Sequence, residues 1–571
     1  MLQNDLSRAH PVKQSDAGVC AAGHPLEADA GRRMLDEGGN AVDAAVAGAF
    51  MAAVVEQIDC GLGGFARVSV GMVGARPTFS IFDGYVRAPR AARADMFTAR
   101  EDDAWTYYGH PPTVGDQARY GALAVAVPGA VAGLLRAHAA CGRLPRAQVL
   151  APAIEVAEAG VPFSWREKLV IADLQDEIRG LPDTAAVLLP RGRLPAVSMQ
   201  THETDKLDTR PLARTLARIA EEGERAFYDG EIAHTLAAYV QDHGGILSAT
   251  DLENYRLGEA RERPNTYRDL SYVTCQDEVA HLGLNILEGY DLPATGPDDA
   301  LYRHTMAEAL GVCFTDCLAH YGDPEFVQSP IAGLVSKEYA AARRAEMRPD
   351  GILPRPIAAG DPWPYHDAPF VEDGIRREMS AAARKGTSQV VAADRDGNMA
   401  AVCTSTGWNY GSLVYVPELG FFLNNGMSYF DPRPGRPASI AGGKMPIFGA
   451  PVVVAAKGDQ PVLACAGSGG YRIETGVLHT LVNLVDHGMS VDRAIDHPRV
   501  HCQGGATFVD ARIPEAVQDA LREKGHEVAA LVEDAGTLHF ARVCCVARDP
   551  RTGALTASAA PSWLTGVSAS R

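Results

Sequence analysis

The sequence lacks the features that mark membrane, secreted or nucleic-acid-binding proteins. No apolar run is long enough to span a bilayer, because the best candidate, 41–55, is interrupted by Asp43 and predicts a buried helix. The net charge of −18 argues against a nucleic-acid partner. The first eight residues lack the basic-then-apolar order of a signal peptide. We therefore expect a cytoplasmic protein with neither a membrane nor a nucleic acid as partner.

The sequence is also poor in patterns that bind metals or form disulfides. Its eleven cysteines are an odd, scattered set without a Cys-x-x-Cys pair, so we expect buried thiols that behave as small apolar residues. His497 and His501 have a helical metal-ligand spacing, but Pro498 lies between them and no acidic general base adjoins them. We expect structural roles for these histidines, and neither a metal nor a cofactor.

What is present is an ordinary globular composition, 46% hydrophobic and 22% charged over 571 residues. The first two thirds favour helices, whereas short strands and glycine turns dominate after residue 387, which is typical of a layered α+β protein. Helices are predicted at 27–37, 41–55, 130–140, 147–159, 475–486 and 514–524. Strands are predicted at 65–70, 400–404, 413–416, 420–423, 451–455, 462–466, 540–547 and 554–558.

The most informative point is Gly386-Thr387-Ser388, where a strand-like run begins. The run 388–393, a turn at 394–398 and a second run at 399–404 predict a buried hairpin. Cleavage of the Gly386–Thr387 bond would give Thr387 a free α-amine, whose pKa near ~8 suits a general base at neutral pH. A hydroxyl beside its own amine is a known activated nucleophile. The segment 349–378, rich in Pro, Gly and Asp, predicts an exposed connection ahead of this bond.

Several separate blocks then occur in one order along the chain, and together they resemble the gamma-glutamyltransferase family of N-terminal nucleophile hydrolases. The resemblance extends over roughly 23–562 and includes Gly-Gly-Asn-Ala-Val-Asp-Ala-Ala at 38–45, Tyr-Gly-Asp-Pro at 321–324 and Gly-Ser-Gly-Gly at 467–470. The other matching blocks lie at 127–129, 150–155, 285–291, 306–309, 396–398 and 424–425.

The resemblance implies a four-layer αββα sandwich and a precursor cut into a long subunit, 1–386, and a short subunit, 387–571, that interlock in one fold. Thr387 falls on the family's nucleophile, and Ser405 falls on a Thr whose hydroxyl supports that nucleophile. Gly469 and Gly470 fall on the paired glycines whose N–H groups stabilise the oxyanion, a contribution of about 3 kcal/mol for one donor. No cofactor is implied.

The substrate pocket departs from the family pattern. Tyr85 stands where the family has an Arg for the glutamyl carboxylate, and the Gln and Asp that hold the ammonium group are replaced by glycine and tyrosine. An acid and an ammonium buried without partners are costly, so we predict a more apolar pocket and poor gamma-glutamyl substrates. The candidate substrate-binding residues are Tyr85, Gly407, Asn425, Gly426, Tyr429, Ile447 and Phe448.

Three further interpretations stay open beside an amidohydrolase or acylase for another acyl amide. Arg87 and Arg90 could bind an acidic acyl group from a shifted position, which would allow a true gamma-glutamyl enzyme with a rearranged pocket. The stretch 408–410 is either a pocket wall or an exposed aromatic loop. The chain could also be an unprocessed, non-catalytic homologue that acts as a binding protein. The sequence leaves a higher oligomer, and the choice between hydrolysis and transfer, undecided.

Overall fold

The computed structural model describes residues 12–74, 78–102, 109–196, 204–258, 264–275, 277–366, 386–446, 449–533, 539–560 and 566–570. The strands are β1 Val12–Ser15, β2 Gly18–Ala22, β3 Phe65–Met72, β4 Thr78–Gly84, β5 Val161–Pro162, β6 Lys206–Leu207, β7 Asn265–Tyr267, β8 Leu270–Val273, β9 Gly386–Asp394, β10 Met399–Gly407, β11 Tyr415–Val416, β12 Phe421–Phe422, β13 Val452–Lys457, β14 Gln460–Ser468, β15 Val500–Cys502, β16 Thr507–Asp510, β17 Val528–Leu531, β18 Arg542–Arg548, β19 Leu555–Ala559 and β20 Gly566–Ala569.

The helices are α1 Pro25–Asp36, α2 Ala41–Val55, α3 Ala130–Cys141, α4 Arg146–Ala159, α5 Trp165–Asp173, α6 Gln175–Arg179, α7 Pro182–Leu188, α8 Arg210–Glu222, α9 Glu224–Tyr228, α10 Glu231–Asp242, α11 Ala249–Glu253, α12 Glu278–Leu287, α13 Leu292–Thr295, α14 Ala300–His320, α15 Ile331–Leu334, α16 Lys337–Glu346, α17 Arg472–Val485, α18 Val491–Asp496 and α19 Glu515–Glu523. Of the helices in the described ranges, none has the length and apolar character needed to cross a membrane.

Two antiparallel sheets form the centre of the described structure. The six-stranded sheet has the order β20-β2-β9-β10-β3-β4, and the seven-stranded sheet has the order β1-β19-β18-β14-β13-β8-β7. Both combine strands from before and after the Gly386–Thr387 bond. Helices α1, α2 and α3 pack on the six-stranded sheet, and α12 and α17 belong to the core of the other. This is the expected αββα sandwich, and the fold prediction is confirmed.

The two sheets pack face to face through small side chains. Cys403 Sγ of β10 lies 3.9 Å from the Gly467 carbonyl oxygen of β14, and Gln389 Nε2 of β9 donates to Cys544 Sγ of β18 at 3.3 Å. Because helices cover the opposite face, every residue of β9 and β10 is buried. Strands buried on both faces read as continuous apolar runs, which is how the sequence revealed this hairpin.

Helix α2 packs on the six-stranded sheet beside α1 and is buried along its whole length. Asn40 and Asp43 close its N-terminus as a reciprocal capping box, and the Ala41 N–H donates to Asp394 Oδ2 at 3.0 Å. A Cβ on Gly48 would lie 2.8 Å from Val390 Cγ1. Small residues therefore let this helix approach β9 closely and hold the strand that carries Thr387.

The structure corrects two expectations. Strands β1, β2 and β4 were not predicted, since their identity depends on pairing with distant partners such as β19 and β20. The described part of the predicted connecting segment, 349–366, is not simply exposed: the Gly360 N–H donates to Asp316 Oδ1 at 3.0 Å, and Arg355 pairs with Glu308. The rest of that segment, from 367, lies outside the described residues.

The cysteine prediction is confirmed, because all eleven lie in the described part of the chain as free thiols and ten are buried. The two histidines also make internal contacts. His501 Nδ1 lies 2.6 Å from Thr475 Oγ1, and His497 lies beside Arg303 at 3.1 Å.

Candidate active site

Thr387 occupies the second position of β9, with 3% of its surface exposed. The preceding position is sterically restricted to glycine. A Cβ on Gly386 would lie 2.7 Å from Asp59 Cα and 2.8 Å from the Ile58 carbonyl oxygen. The close approach of the loop after α2 therefore fixes the peptide bond between Gly386 and Thr387.

A short series of hydrogen bonds joins Thr387 to the neighbouring strand. The Thr387 hydroxyl lies 3.2 Å from Ser405 Oγ, and the Ser405 hydroxyl donates to the Gly386 carbonyl oxygen at 2.5 Å. The Gly407 N–H donates to Ser405 Oγ at 2.8 Å. An irregularity in the β9–β10 register falls between Thr404 and Gly407 and aims this hydroxyl at the carbonyl. One carbonyl is thus polarised beside the hydroxyl that could attack it.

The backbone of Thr387 is held by a buried arginine. Arg542, 1% exposed at the start of β18, donates from Nη2 to the Thr387 carbonyl oxygen at 2.9 Å and from Nε to Ser468 Oγ at 2.8 Å. Its guanidinium also faces Glu56 at 3.3 Å and Asp59 at 3.4 Å. The fork geometry of arginine allows these contacts at once.

Glu56 and Asp59, the two carboxylates that face Arg542, belong to a larger buried charge network. Arg166 pairs with both Asp59 oxygens at 2.7 and 2.8 Å, and Asn409 Nδ2 donates to Asp59 at 3.1 Å. Burial raises the pKa of Asp59 despite Arg166. Burial acts the same way on Glu56, but there Arg542 and other neighbours outweigh it and lower the pKa. Buried charges of this kind are tolerated only when they are paired.

A third carboxyl group completes this network. Burial first, and the Glu56 carboxylate next, raise the pKa of Glu27 well above its usual value. The pKa values of Glu27 and Glu56 are thus shifted in opposite directions. The Glu27 oxygens also accept from the Ser388 hydroxyl at 3.2 and 3.4 Å. Ser388, the residue after Thr387, is thus also held in place by a side-chain contact.

Gly469 and Gly470 lie where β14 ends and α17 is about to begin. Both have positive φ angles, +135° and +61°, which favour glycine, and a Cβ on Gly469 would lie 3.0 Å from Ala541 Cα. Ser468 precedes them, and Arg542 connects that residue to Thr387. The turn and the candidate nucleophile are therefore positioned by one side chain, at a helix N-terminus whose dipole favours negative charge.

The other side of the site is aromatic. The Tyr85 ring stacks with Tyr429 at 6.1 Å and meets Phe65 edge-on at 4.5 Å. Behind it, the Arg67 guanidinium lies 4.3 Å from the Tyr85 ring centre and pairs with Asp83 at 3.0 Å. Burial raises the pKa of the Tyr85 phenol, and its buried oxygen has no hydrogen-bond partner among the residues that the structure describes. Tyr85, at the position where the sequence resemblance expects a carboxylate-binding arginine, is therefore part of a group of stacked rings.

Gly407 and Asn425 connect the aromatic side to the hydroxyl groups. A Cβ on Gly407 would lie 2.1 Å from Asn425 Oδ1 and 2.9 Å from Tyr429 Oη. The Gly426 N–H donates to Asn424 Oδ1 at 2.8 Å, which holds the turn before Tyr429. Ile447 and Phe448 lie outside the described residues.

Two of the open sequence interpretations are resolved by contacts. The proposal that Arg87 binds an acidic acyl group is wrong, since its guanidinium pairs with Glu325 at 2.9 Å. Arg87 and Arg90 instead line a separate cavity of about 290 Å³ beside Arg256. The stretch 408–410 is not an exposed loop, because Asn409 and Tyr410 are buried and only Trp408 is half-buried.

Comparisons with known proteins agree with this arrangement. The family model described as gamma-glutamyltranspeptidase matches residues 28–568. The chain belongs to the gamma-glutamyltranspeptidase family. It is therefore an enzyme of the N-terminal nucleophile class, a hydrolase or acyltransferase, as the sequence resemblance implied.

Among its relatives are both acylases and glutathione hydrolases. Acylase ACY 1 proenzyme of Pseudomonas sp. (strain V22) is 33% identical over 528 residues, 91% of this chain and 89% of that protein. The glutathione hydrolase proenzyme of Bacillus subtilis (strain 168) is 30% identical over 537 residues, 92% and 88% of the two chains. The crystal structure of cephalosporin acylase from Bacillus halodurans superposes with a TM-score of 0.82 at 27% identity, covering 98% of this chain and 97% of that chain.

Within this family member, sequence reasoning missed the charge network. Glu56 and Asp59 lie in one segment, Arg166 and Arg542 lie in two others, and no motif joins the three. A usable signal was present at 56–59, where Glu-Gln-Ile-Asp follows an apolar helix directly. Charged residues at the end of a fully buried helix need partners, and Arg542 at the start of an apolar strand is one of them.

Proposed function

We propose that this protein is a self-processing acylase that cleaves its own Gly386–Thr387 bond and then hydrolyses a non-glutamyl acyl amide. The observation that carries this proposal is the placement of two hydroxyls on one carbonyl: Thr387 and Ser405 both lie within hydrogen-bond distance of the Gly386 oxygen, at 2.7 and 2.5 Å. The proenzyme names of the acylase and glutathione hydrolase relatives support self-processing.

In the proposed cleavage, Thr387 Oγ attacks the Gly386 carbonyl carbon. The Ser405 hydroxyl donates to the oxygen that becomes negative, as an oxyanion-hole donor does. The C–N bond breaks, the proton of the Thr387 hydroxyl ends on the released amine, and an ester joins the two residues. Water hydrolyses the ester and leaves a Gly386 carboxylate and a free Thr387 α-amine.

In the proposed turnover, the free α-amine takes the proton of the Thr387 hydroxyl as it attacks the substrate amide. The amine leaving group receives that proton, and the acyl group stays on Thr387 as an ester. Gly469 and Gly470 supply the oxyanion donors from a turn that Arg542 holds against Thr387. Water then releases the acid, and an amine acceptor would convert the same acyl-enzyme into a transfer reaction.

The non-glutamyl preference rests on the aromatic side of the site. A gamma-glutamyl head carries a carboxylate and an ammonium, each of which needs a buried partner. Tyr85 and Tyr429 are neutral, and Arg67 is already paired with Asp83. Robust turnover of a gamma-glutamyl anilide would contradict this part of the proposal and favour a gamma-glutamyl enzyme with a rearranged pocket.

Intact mass spectrometry of the purified protein tests the cleavage step. We expect two fragments, ending at Gly386 and beginning at Thr387, and a single uncut chain from Thr387→Ala. Thr387→Ser is the matched control, since it keeps a hydroxyl and should still be cut. A wild-type chain that stays whole would favour the non-catalytic homologue that acts as a binding protein.

A further inference from the structure

Arg119 is held between two aromatic rings at the edge of the candidate active site. Its guanidinium carbon lies 3.7 Å from the ring centre of Trp408 and 4.6 Å from that of Tyr120. Cation–π contacts of this length favour a guanidinium lying flat against the rings, with its N–H groups pointing outward in one plane. The two rings thus hold the Arg119 guanidinium in place.

Arg119 differs from the other arginines around the site in its electrostatic partners. Arg67, Arg166 and Arg87 are each paired with a carboxylate. Within the described ranges, Arg119 is paired with none, and its Nε is buried without an acceptor. This half-buried guanidinium has lost part of its water and has the two rings, but no carboxylate, to compensate for the loss. An unpaired guanidinium of this kind favours the binding of an anionic ligand.

Hydrogen bonds connect the backbone of Arg119 to the strand end that carries Ser405. Asn425 Nδ2 donates to the Arg119 carbonyl oxygen at 3.3 Å, and Asn425 Oδ1 accepts from the Trp408 N–H at 3.3 Å. Trp408 follows Gly407, whose N–H donates to Ser405. One asparagine therefore connects the backbone of Arg119 to the strand end next to the candidate nucleophile.

We propose that Arg119 is the specificity-determining residue that binds a carboxylate of the substrate. This inference rests on the proposed acylase function and names the substrate class: an amide that carries one carboxylate but no ammonium group. A planar guanidinium pairs with a carboxylate through two parallel N–H···O bonds, the strongest geometry for this contact. Gly426 and Tyr429 offer no negative charge to an ammonium, so a dicarboxylic acid monoamide fits better than a gamma-glutamyl amide.

Matched substrates test the proposal and locate the carboxylate. Glutaryl p-nitroanilide has an acidic acyl group, and pentanoyl p-nitroanilide is its neutral equivalent. The pentanoyl amide of 4-aminobenzoate places the carboxylate on the leaving group instead. We expect Arg119→Gln to lower kcat/KM by about 10- to 100-fold for glutaryl p-nitroanilide, the cost of a lost charged hydrogen bond, and to leave kcat/KM for the other two substrates unchanged. Arg119→Lys should lie between the two.

Arg225→Gln is the matched control, since Arg225 is 87% exposed beside Asp229 and should affect none of the substrates. Equal loss on acidic and neutral amides after Arg119→Gln would show a structural role and overturn the proposal, as would no loss at all. Self-cleavage of each variant is checked by mass.

Binding of a product separates this inference from the proposed activity. Isothermal titration should show glutarate binding at least about 10-fold more weakly to Arg119→Gln than to wild type, with the neutral glutaramide insensitive to the change. Glutarate binding that depends on Arg119 without turnover of any amide would retain the carboxylate site and reject the acylase function. Glutarate that binds no better than glutaramide to wild type would overturn the inference.

Discussion

The two sides of Thr387 are built from opposite chemistry. Toward the protein interior, its carbonyl is held by Arg542, which two carboxylates balance. On the pocket side, the site is lined by the stacked rings of Tyr85 and Tyr429. The interior side positions the reacting atoms, and the pocket side determines which molecule reaches them. Because different residues line the two sides, the pocket can differ from the family pattern while the hydroxyl and glycine residues stay.

Substitutions on the charged side should lower folding stability more than substitutions on the aromatic side. Arg542→Met leaves Glu56 and Asp59 buried with one cation fewer, and we expect a loss of about 3–5 kcal/mol in folding stability. Self-cleavage should fail too, because the Thr387 carbonyl loses its donor. The urea midpoint and the fragment masses measure the two effects.

The control for this change is Arg225→Met, since Arg225 is 87% exposed beside Asp229 and should lose less than about 0.5 kcal/mol. Arg542→Lys should restore only part of the lost folding stability, because one ammonium group cannot make all the contacts of the forked guanidinium. Equal stability of the Arg542→Met and Arg225→Met proteins would show that the network does not support the site.

Ser405 tests the junction between the two sides. Ser405→Ala removes the hydroxyl that donates to the Gly386 oxygen, and we expect self-cleavage to slow by about 10²- to 10³-fold. A time course of fragment formation by intact mass measures the rate. Ser405→Thr keeps a hydroxyl and should remain within about 10-fold of wild type. Unchanged cleavage in Ser405→Ala would assign the carbonyl polarisation to another group.

How far the sequence predicts these two sides differs for a physical reason. Thr387 lies at the start of a hairpin that a local pattern predicts, whereas Ser405 and the 469–470 glycines were assigned from the resemblance of their blocks to the family. The αββα layers were implied by the order of blocks rather than by any one strand. Arg119 and Arg542 could not be found, because their roles arise from contacts between segments far apart in the chain: Trp408 for the first, Asp59 and Thr387 for the second.

The aromatic side should resist restoration of the family residue. Gly407→Asn places a Cβ 2.1 Å from Asn425 Oδ1, at a φ of +101°, and we expect a loss of about 1–3 kcal/mol without any gain in gamma-glutamyl hydrolysis. Gly435→Asn is matched to it, with a φ of +84° and nothing within 4 Å of the added Cβ. Thermal unfolding of both variants separates crowding from backbone strain. A gain in gamma-glutamyl turnover would show that the pocket repacks more easily than these contacts indicate.

The smallest effect is expected from the phenol at the centre of the aromatic side. Tyr85→Phe removes a buried oxygen that has no hydrogen-bond partner within the described ranges, so folding stability should stay level or rise by up to about 1 kcal/mol. Tyr255→Phe is the matched comparison, since the Tyr255 hydroxyl donates to the Tyr85 carbonyl oxygen at 2.6 Å. Loss of this hydrogen bond should lower folding stability by about 1 kcal/mol. If Tyr85→Phe keeps its stability but loses turnover of an acyl amide, the phenol contacts substrate, and the pocket then depends on one polar group as well as on its rings.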